Sequence, residues 1–279
     1  MFANNPFAEL SASVSPDVMQ TFVWVMILLV VGGTLFDIIH KGSAAFFFAN
    51  WRKSKAMGGR QIRGGELMSI ASETAMKDVL TSGEFCNPRR RQAHLLTMYG
   101  FIFFVVATLI LVFWYPTRGS QAPGIVPFLW HLGATMVCVG GFWFWFFIRA
   151  DVSAEGSSPF RVMRADLFVL SLLATTSLAL FWSFLQWTAS SSAPLALGLF
   201  LIATTVLFGS VPWSKFSHMF FKPAAAFEKR VSKANGFSQN LPTLTRDDPE
   251  QQKRHSMELL QDAPMNMGLG IKREAPRHY

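Results

Sequence analysis

Charge is what this chain has least of. Only 15% of its 279 residues are Asp, Glu, Lys or Arg, while 51% are hydrophobic. A soluble domain carries roughly 25% charged residues. Cysteine is equally scarce: Cys86 and Cys138 are the two present. No CxxC or clustered pattern occurs, so the chain has no iron–sulfur cluster of its own. Cys86 falls in a basic loop and Cys138 inside an apolar stretch, so no disulfide is expected between them. Strict apolar–polar alternation over short segments is missing, which excludes a transmembrane β-barrel. The first basic residue is Lys41. The N-terminus therefore lacks the basic start of a cleaved signal peptide, and the first apolar segment is expected to stay. GRQIRGG is no phosphate loop, because it lacks GK[ST] and follows no strand.

Long apolar runs are plentiful. Five lie near Thr21–Ile39, Leu95–Tyr115, Val126–Ile148, Leu167–Trp187 and Pro194–Trp213. Each is about long enough to cross a bilayer, which takes roughly 20 residues. The expected fold is all-α: an integral membrane five-helix bundle over residues 1–223, followed by a tail over 224–279.

Basic residues set the orientation. Of the 25 Lys and Arg residues, Arg118 alone falls on one side of the five segments. The rest occupy loop 41–93, the loop after the third segment, and the chain from Lys215. The positive-inside rule makes that side cytoplasmic and leaves the N-terminus outside. A bacterial inner membrane is the expected location. The net charge of +8 is thus mainly a topology signal, and it suits anionic lipid or an acidic partner. Nucleic-acid binding is a poor reading, because the cations flank membrane segments.

Loop 41–93 begins KGSAAFFFANWRKSKAMGG, with aromatics beside cations. Either the first helix runs on past the membrane surface, or a short interfacial helix lies there. ELMSIASETAMKDVLTSG repeats apolar residues at Leu67, Ile70, Ala71, Met76 and Val79, which suggests one short amphipathic helix. The tail is polar and cannot build a core alone. It either wraps a partner or is disordered.

Ionisable residues at membrane depth are functional candidates. His94 opens the second segment and His218 closes the fifth, both at the cytoplasmic end. A pair of imidazoles at one depth can hold a haem iron from opposite sides. Arg89, Arg90, Arg91 and Lys215 stand where haem propionates could be met. Plain interfacial histidines and positive-inside charges are the alternative. Asp37 and His40 share a face by i, i+3 spacing. They form a possible quinone or proton site, or a hydrogen-bonded juxtamembrane pair. His131 lies near the outer end, too far away to share that iron, and reads as a core hydrogen-bonder first and a quinone contact second. Trp24, Trp114, Trp130, Trp187 and Trp213 read as interfacial anchors.

HLLTMYGF, together with the later PWSKFSHMFFKP, resembles the five-helix cytochrome b family. That family includes the gamma subunit of respiratory nitrate reductase and the cytochrome b subunit of heterodisulfide reductase. The likeness covers about residues 20–222. It is greatest to the membrane subunit of the quinone-interacting membrane-bound oxidoreductase complex of sulfur metabolism. Members typically hold two b haems. His94 and His218 match the pair for the cytoplasmic haem. The outer pair should fall ten residues after His94 and eighteen before His218, where this chain has Phe104 and Phe200. The resemblance therefore implies one haem b at most. It implies a redox complex in which a cytoplasmic flavin or iron–sulfur partner exchanges electrons with membrane quinone. Decay of the fold into a haem-free anchor, for an enzyme such as adenylylsulfate reductase, is the alternative.

Overall fold

The computed structural model describes residues 2–40, 42–83, 85, 87–149, 160, 162–163, 166–214, 216 and 218–237, without the side chains of Ser43 and His218. Helices account for every regular element among them, and no strand occurs. The chain divides into two compact units.

The first unit comprises Met1–Ala44 and Pro88–Lys222. It opens with a short helix α1, Pro6–Leu10. Asn5 caps α1, its Oδ1 accepting from the backbone N–H of Phe7 at 3.0 Å and Ala8 at 3.3 Å. Pro6 occupies the first helical position, where a missing N–H costs nothing. Then follows α2, Pro16–His40, again with proline at its start. After the second unit's first stretch, described below, come α5, Pro88–Phe113, and α6, Ile125–Trp143. The last turns after α6, Phe144–Arg149, wind as π-helix. Helices α7, Leu167–Trp187, and α8, Ala193–Gly209, complete the unit.

Four of these segments are long and apolar enough to cross a membrane: α2, α5, α6 with its π-helical end, and α7. Helix α8 is a shorter apolar helix of 17 residues, about 25 Å at 1.5 Å per residue. Its neighbours place it in the same bundle. α2 packs on α5, α5 on α6, α6 on α7, α7 on α8, and α8 back on α2. The ring of five closes on itself. Apolar side chains such as Leu28, Ile39, Ile102, Phe147, Leu195 and Ile202 point outward and exposed. That pattern is stable only where the surroundings are as apolar as the core, so the first unit is a membrane helical bundle.

Small residues bring α5 and α6 together. A Cβ on Gly133 would lie 2.6 Å from the Gly100 carbonyl oxygen and from the Phe104 nitrogen. A Cβ on Gly140 would lie 2.8 Å from the Ala93 carbonyl oxygen. Side chains at either point would force the backbones apart, and close backbone approach is what holds helices together in lipid. Hydroxyls in the spans bond back to their own helix: Thr108 to the Phe104 carbonyl at 2.7 Å and Thr204 to Phe200 at 2.8 Å.

The second unit comprises Ala45–Asn87 and the chain from Pro223. It holds nearly all of α3, Ser43–Met57, then α4, Gly64–Glu73, extended by π-helical turns over Thr74–Leu80. It also holds most of α9, His218–Ala234. Loop 45–87 thus groups with the chain after residue 223. The first Gly pair, Gly58–Gly59, falls in the break after α3, whereas Gly64–Gly65 opens α4. On α4 the buried residue after Ile70 is Thr74, one turn on, and Met76 is exposed.

Polar clasps hold α9 against the loop. Asn50 Nδ2 donates to Glu228 at 2.6 Å, and the buried Ser54 and Ser232 hydroxyls meet at 3.0 Å. Asn235 Nδ2 donates to the Ser54 carbonyl at 3.0 Å. Trp51 stacks on Phe227 with ring centres 5.8 Å apart. The described part of the tail, up to Phe237, is held on the loop by these contacts. Residues 238–279 lie outside the described residues.

Candidate functional site

The end of the bundle that carries His94 is built by the first turns of α5. Arg89, Arg90 and Arg91 precede a half-buried His94, while Ala93 is buried under Gly140 of α6. The chain arriving at His218 is fixed by Phe216, which is 2% exposed. Its ring meets Phe101 of α5 at 6.4 Å, Phe168 of α7 at 5.5 Å and Phe208 of α8 at 5.8 Å. A residue two places before His218 is therefore seated against α5, two turns further along it than His94. Lys215 and the His218 side chain lie outside the described residues.

Asp37 is buried at 2% exposure, whereas His40 is exposed and stacks on Phe36 at 5.2 Å. The two expected partners have different surroundings despite the i, i+3 spacing. Among the described residues no group of three or more His, Cys, Asp or Glu side chains could hold a metal ion. A haem iron held axially by a pair of imidazoles requires no such group.

The other end of the bundle is filled. Phe104 is 5.2 Å from Trp130, and Phe200 stacks on Trp182 at 5.8 Å. Trp130 and Trp182 meet at 6.4 Å. Phe7 of α1 reaches between them, 5.8 Å from one and 5.5 Å from the other. All five rings are buried. Residues here fit no second haem: neither Phe can ligate iron, and the volume between them is occupied by indole rings. Trp130 is thus not the interfacial anchor expected of it. It is fully buried, and its Nε1 donates to Thr108 Oγ1 at 2.9 Å, satisfying its one polar atom inside the core. Trp24, Trp114, Trp187 and Trp213 are exposed, as anchors would be.

His131 is fully buried beside this cluster. Its Nδ1 is 2.7 Å from the Pro127 carbonyl oxygen and its Nε2 is 2.8 Å from Ser183 Oγ. A carbonyl only accepts, so Nδ1 carries the proton and donates. In the neutral ring Nε2 then accepts from the serine hydroxyl. Ser183 also lines a cavity of about 220 Å³ with Asn4, Pro6, Glu9, Gln186 and Trp187. Glu9 on its wall pairs with Arg118 at 2.6 Å.

The least exposed charge pairs also escaped the sequence reading. Arg149, at the end of the α6 segment, forms a bidentate pair with Asp166 just before α7. Their side chains are only 14% and 10% exposed, and the guanidinium lies 4.1 Å above the Trp145 ring. In the second unit Arg230 binds Asp78 through two nitrogens and Glu73 at 3.0 Å. The hydrogen bond from Arg230 holds the Asp78 carboxyl below its ordinary value. Lys77 does the same to Glu73, with Arg230 adding to it. The guanidinium of Arg230 is correspondingly raised. For Arg149 and Asp166 the available signal was opposite charges at the two ends of one connection, but that pattern is common and carries no partner information.

The fold is that of an all-α membrane helical bundle with a second helical unit. The citrate utilization protein B family model matches residues 25–237, and the chain belongs to that family. No curated protein and no solved structure matches it.

Proposed function

We propose that this chain is the membrane subunit of a redox complex. It passes electrons between a cytoplasmic partner carrying flavin or iron–sulfur clusters and membrane quinone, by way of one b haem. The haem supplies a one-electron carrier, and the chain supplies ligands, orientation and burial. His94 and His218 would provide the imidazole nitrogens. Arg90, Arg91 and Lys215 would provide cations for the propionates. The observation that carries this reading is the seat of Phe216 against Phe101, which supports a meeting of the two histidine-bearing segments at one end of the bundle. The cations support a cytoplasmic side for that end, with the C-terminus inside, and this reading takes a bacterial inner membrane as the location. A reporter fused at the C-terminus should be active only in its cytoplasmic form.

The family's description concerns citrate utilization. Carried over to this chain, it favours a soluble partner acting on citrate or a related carboxylate. A sulfur-metabolism partner rests on the cytochrome resemblance alone.

A second reading is a haem-free anchor for a cytoplasmic enzyme. The filled space between Phe104 and Phe200 favours it, as a further stage of the same loss. A reduced-minus-oxidised spectrum of the purified chain separates the two. The electron-transfer reading expects a b-type α-band that disappears in His94→Ala and in His218→Ala but persists in His131→Ala. No haem in the unaltered chain overturns it and leaves the anchor.

A further inference from the structure

We propose that α3 is a binding surface for anionic lipid headgroups, with Phe46 and Phe48 seated in the leaflet. One face of α3 is spoken for. Asn50, Trp51 and Ser54 contact α9 through the bonds and the ring stack described above. The rest of the helix is open: Phe46 is 76% exposed, Phe48 59% and Met57 61%. Arg52, Lys53 and Lys55 are exposed on the same arc, and Ser43–Met57 contains no acidic residue.

The order along the axis selects the occupant. Aromatics fill the first turns and cations the later ones. Helix α2 ends at His40 and α3 begins at Ser43, so Phe46 lies within roughly 15 Å of the end of a membrane span by chain reach alone. Gly42, at a φ of +63°, supplies the left-handed turn that separates the two helices. Apolar rings held that close to the hydrocarbon gain by entering it, and cations one to two turns further on meet the phosphate layer. A basic cluster next to a membrane span attracts anionic lipid, each cation contributing several-fold to the preference. A soluble acidic protein would satisfy Arg52, Lys53 and Lys55 but leave Phe46 and Phe48 without a reason to be exposed. This inference is independent of haem binding.

The test places benzoylphenylalanine at position 46 or 48 of the full chain, in nanodiscs of phosphatidylcholine with phosphatidylglycerol. Ser72, exposed on the same unit, is the control position. Irradiation should give lipid adducts from 46 and 48 and none from 72. The share of phosphatidylglycerol in those adducts should exceed its mole fraction several-fold. Replacing Arg52, Lys53 and Lys55 together with Gln should return that share to the mole fraction. Raising NaCl to molar concentration should do the same to the chain that retains these cations, because exposed charges are screened. The proposal is overturned if 46 and 48 yield no lipid adducts, if they label a second polypeptide instead, or if the adducts carry phosphatidylglycerol only at its mole fraction.

Discussion

Arg230 grips Asp78 with two of its nitrogens, at 2.7 and 3.0 Å. The two residues are 152 positions apart in sequence, and the pair fastens α9 to the π-helical end of loop 45–87. A planar fork on a carboxylate is geometry that lysine cannot reproduce. Arg230→Ala should destabilise the second unit by roughly 1.5–3 kcal/mol, and Arg230→Lys should recover only part of that. Thermal unfolding of the full chain measures both.

The same pair sets a pH dependence. The folded-state value of Asp78 is depressed from its ordinary 3.8. A depressed carboxylate contributes stability that is present above the unfolded value and lost as pH falls through the folded one. Stability of the second unit should therefore stay level down to about pH 4 as far as Asp78 is concerned, then fall below it. In Asp78→Asn that acid-side loss should shrink. An equal loss in both chains would show that Asp78 is not its source.

Arg149 and Asp166 form the most buried ion pair described, at 14% and 10% side-chain exposure. Removing one partner strands a charge in a poorly solvated place, at a cost of roughly 3–5 kcal/mol. Arg149→Ala should lower the melting temperature more than Lys77→Ala, whose pair with Glu73 is exposed and screened by water. Equal effects would place the Arg149 pair in water.

Gly133 has no room for a methyl group, whereas a Cβ on Gly198 would meet nothing within 4 Å. Gly133→Ala should cost roughly 1–3 kcal/mol by separating α5 from α6. Gly198→Ala should be neutral or slightly stabilising, since alanine is the better helix former. Unfolding in detergent of the two variants side by side checks this contrast.

Haem stoichiometry is a further check. Quantified haem should not exceed one per chain. Phe104→His with Phe200→His should not raise it, because Trp130, Trp182 and Phe7 still fill the space between them. Haem near two per chain in the unaltered protein contradicts the packing described.

The class of this protein is a one-dimensional property, and composition was enough for it. Long uncharged runs need lipid, and backbone groups in lipid need helices. The spans at Thr21–Ile39, Leu95–Tyr115, Val126–Ile148 and Leu167–Trp187 each lie inside or close to a helix of the bundle. The helix near Ile70 was also legible, because hydropathy acts locally, whereas a separate helix after His40 was one of two readings and the turn at Gly42 decided it. Trp130 was not. Its position near the end of a span looks interfacial, yet its depth depends on which neighbours cover it, and Phe7 comes from 123 residues earlier. The bonds of His131 to Ser183, of Arg149 to Asp166 and of Arg230 to Asp78 were hidden for the same reason. Each joins chemistry that the chain keeps apart, and only the packing of helix on helix decides which polar group meets which.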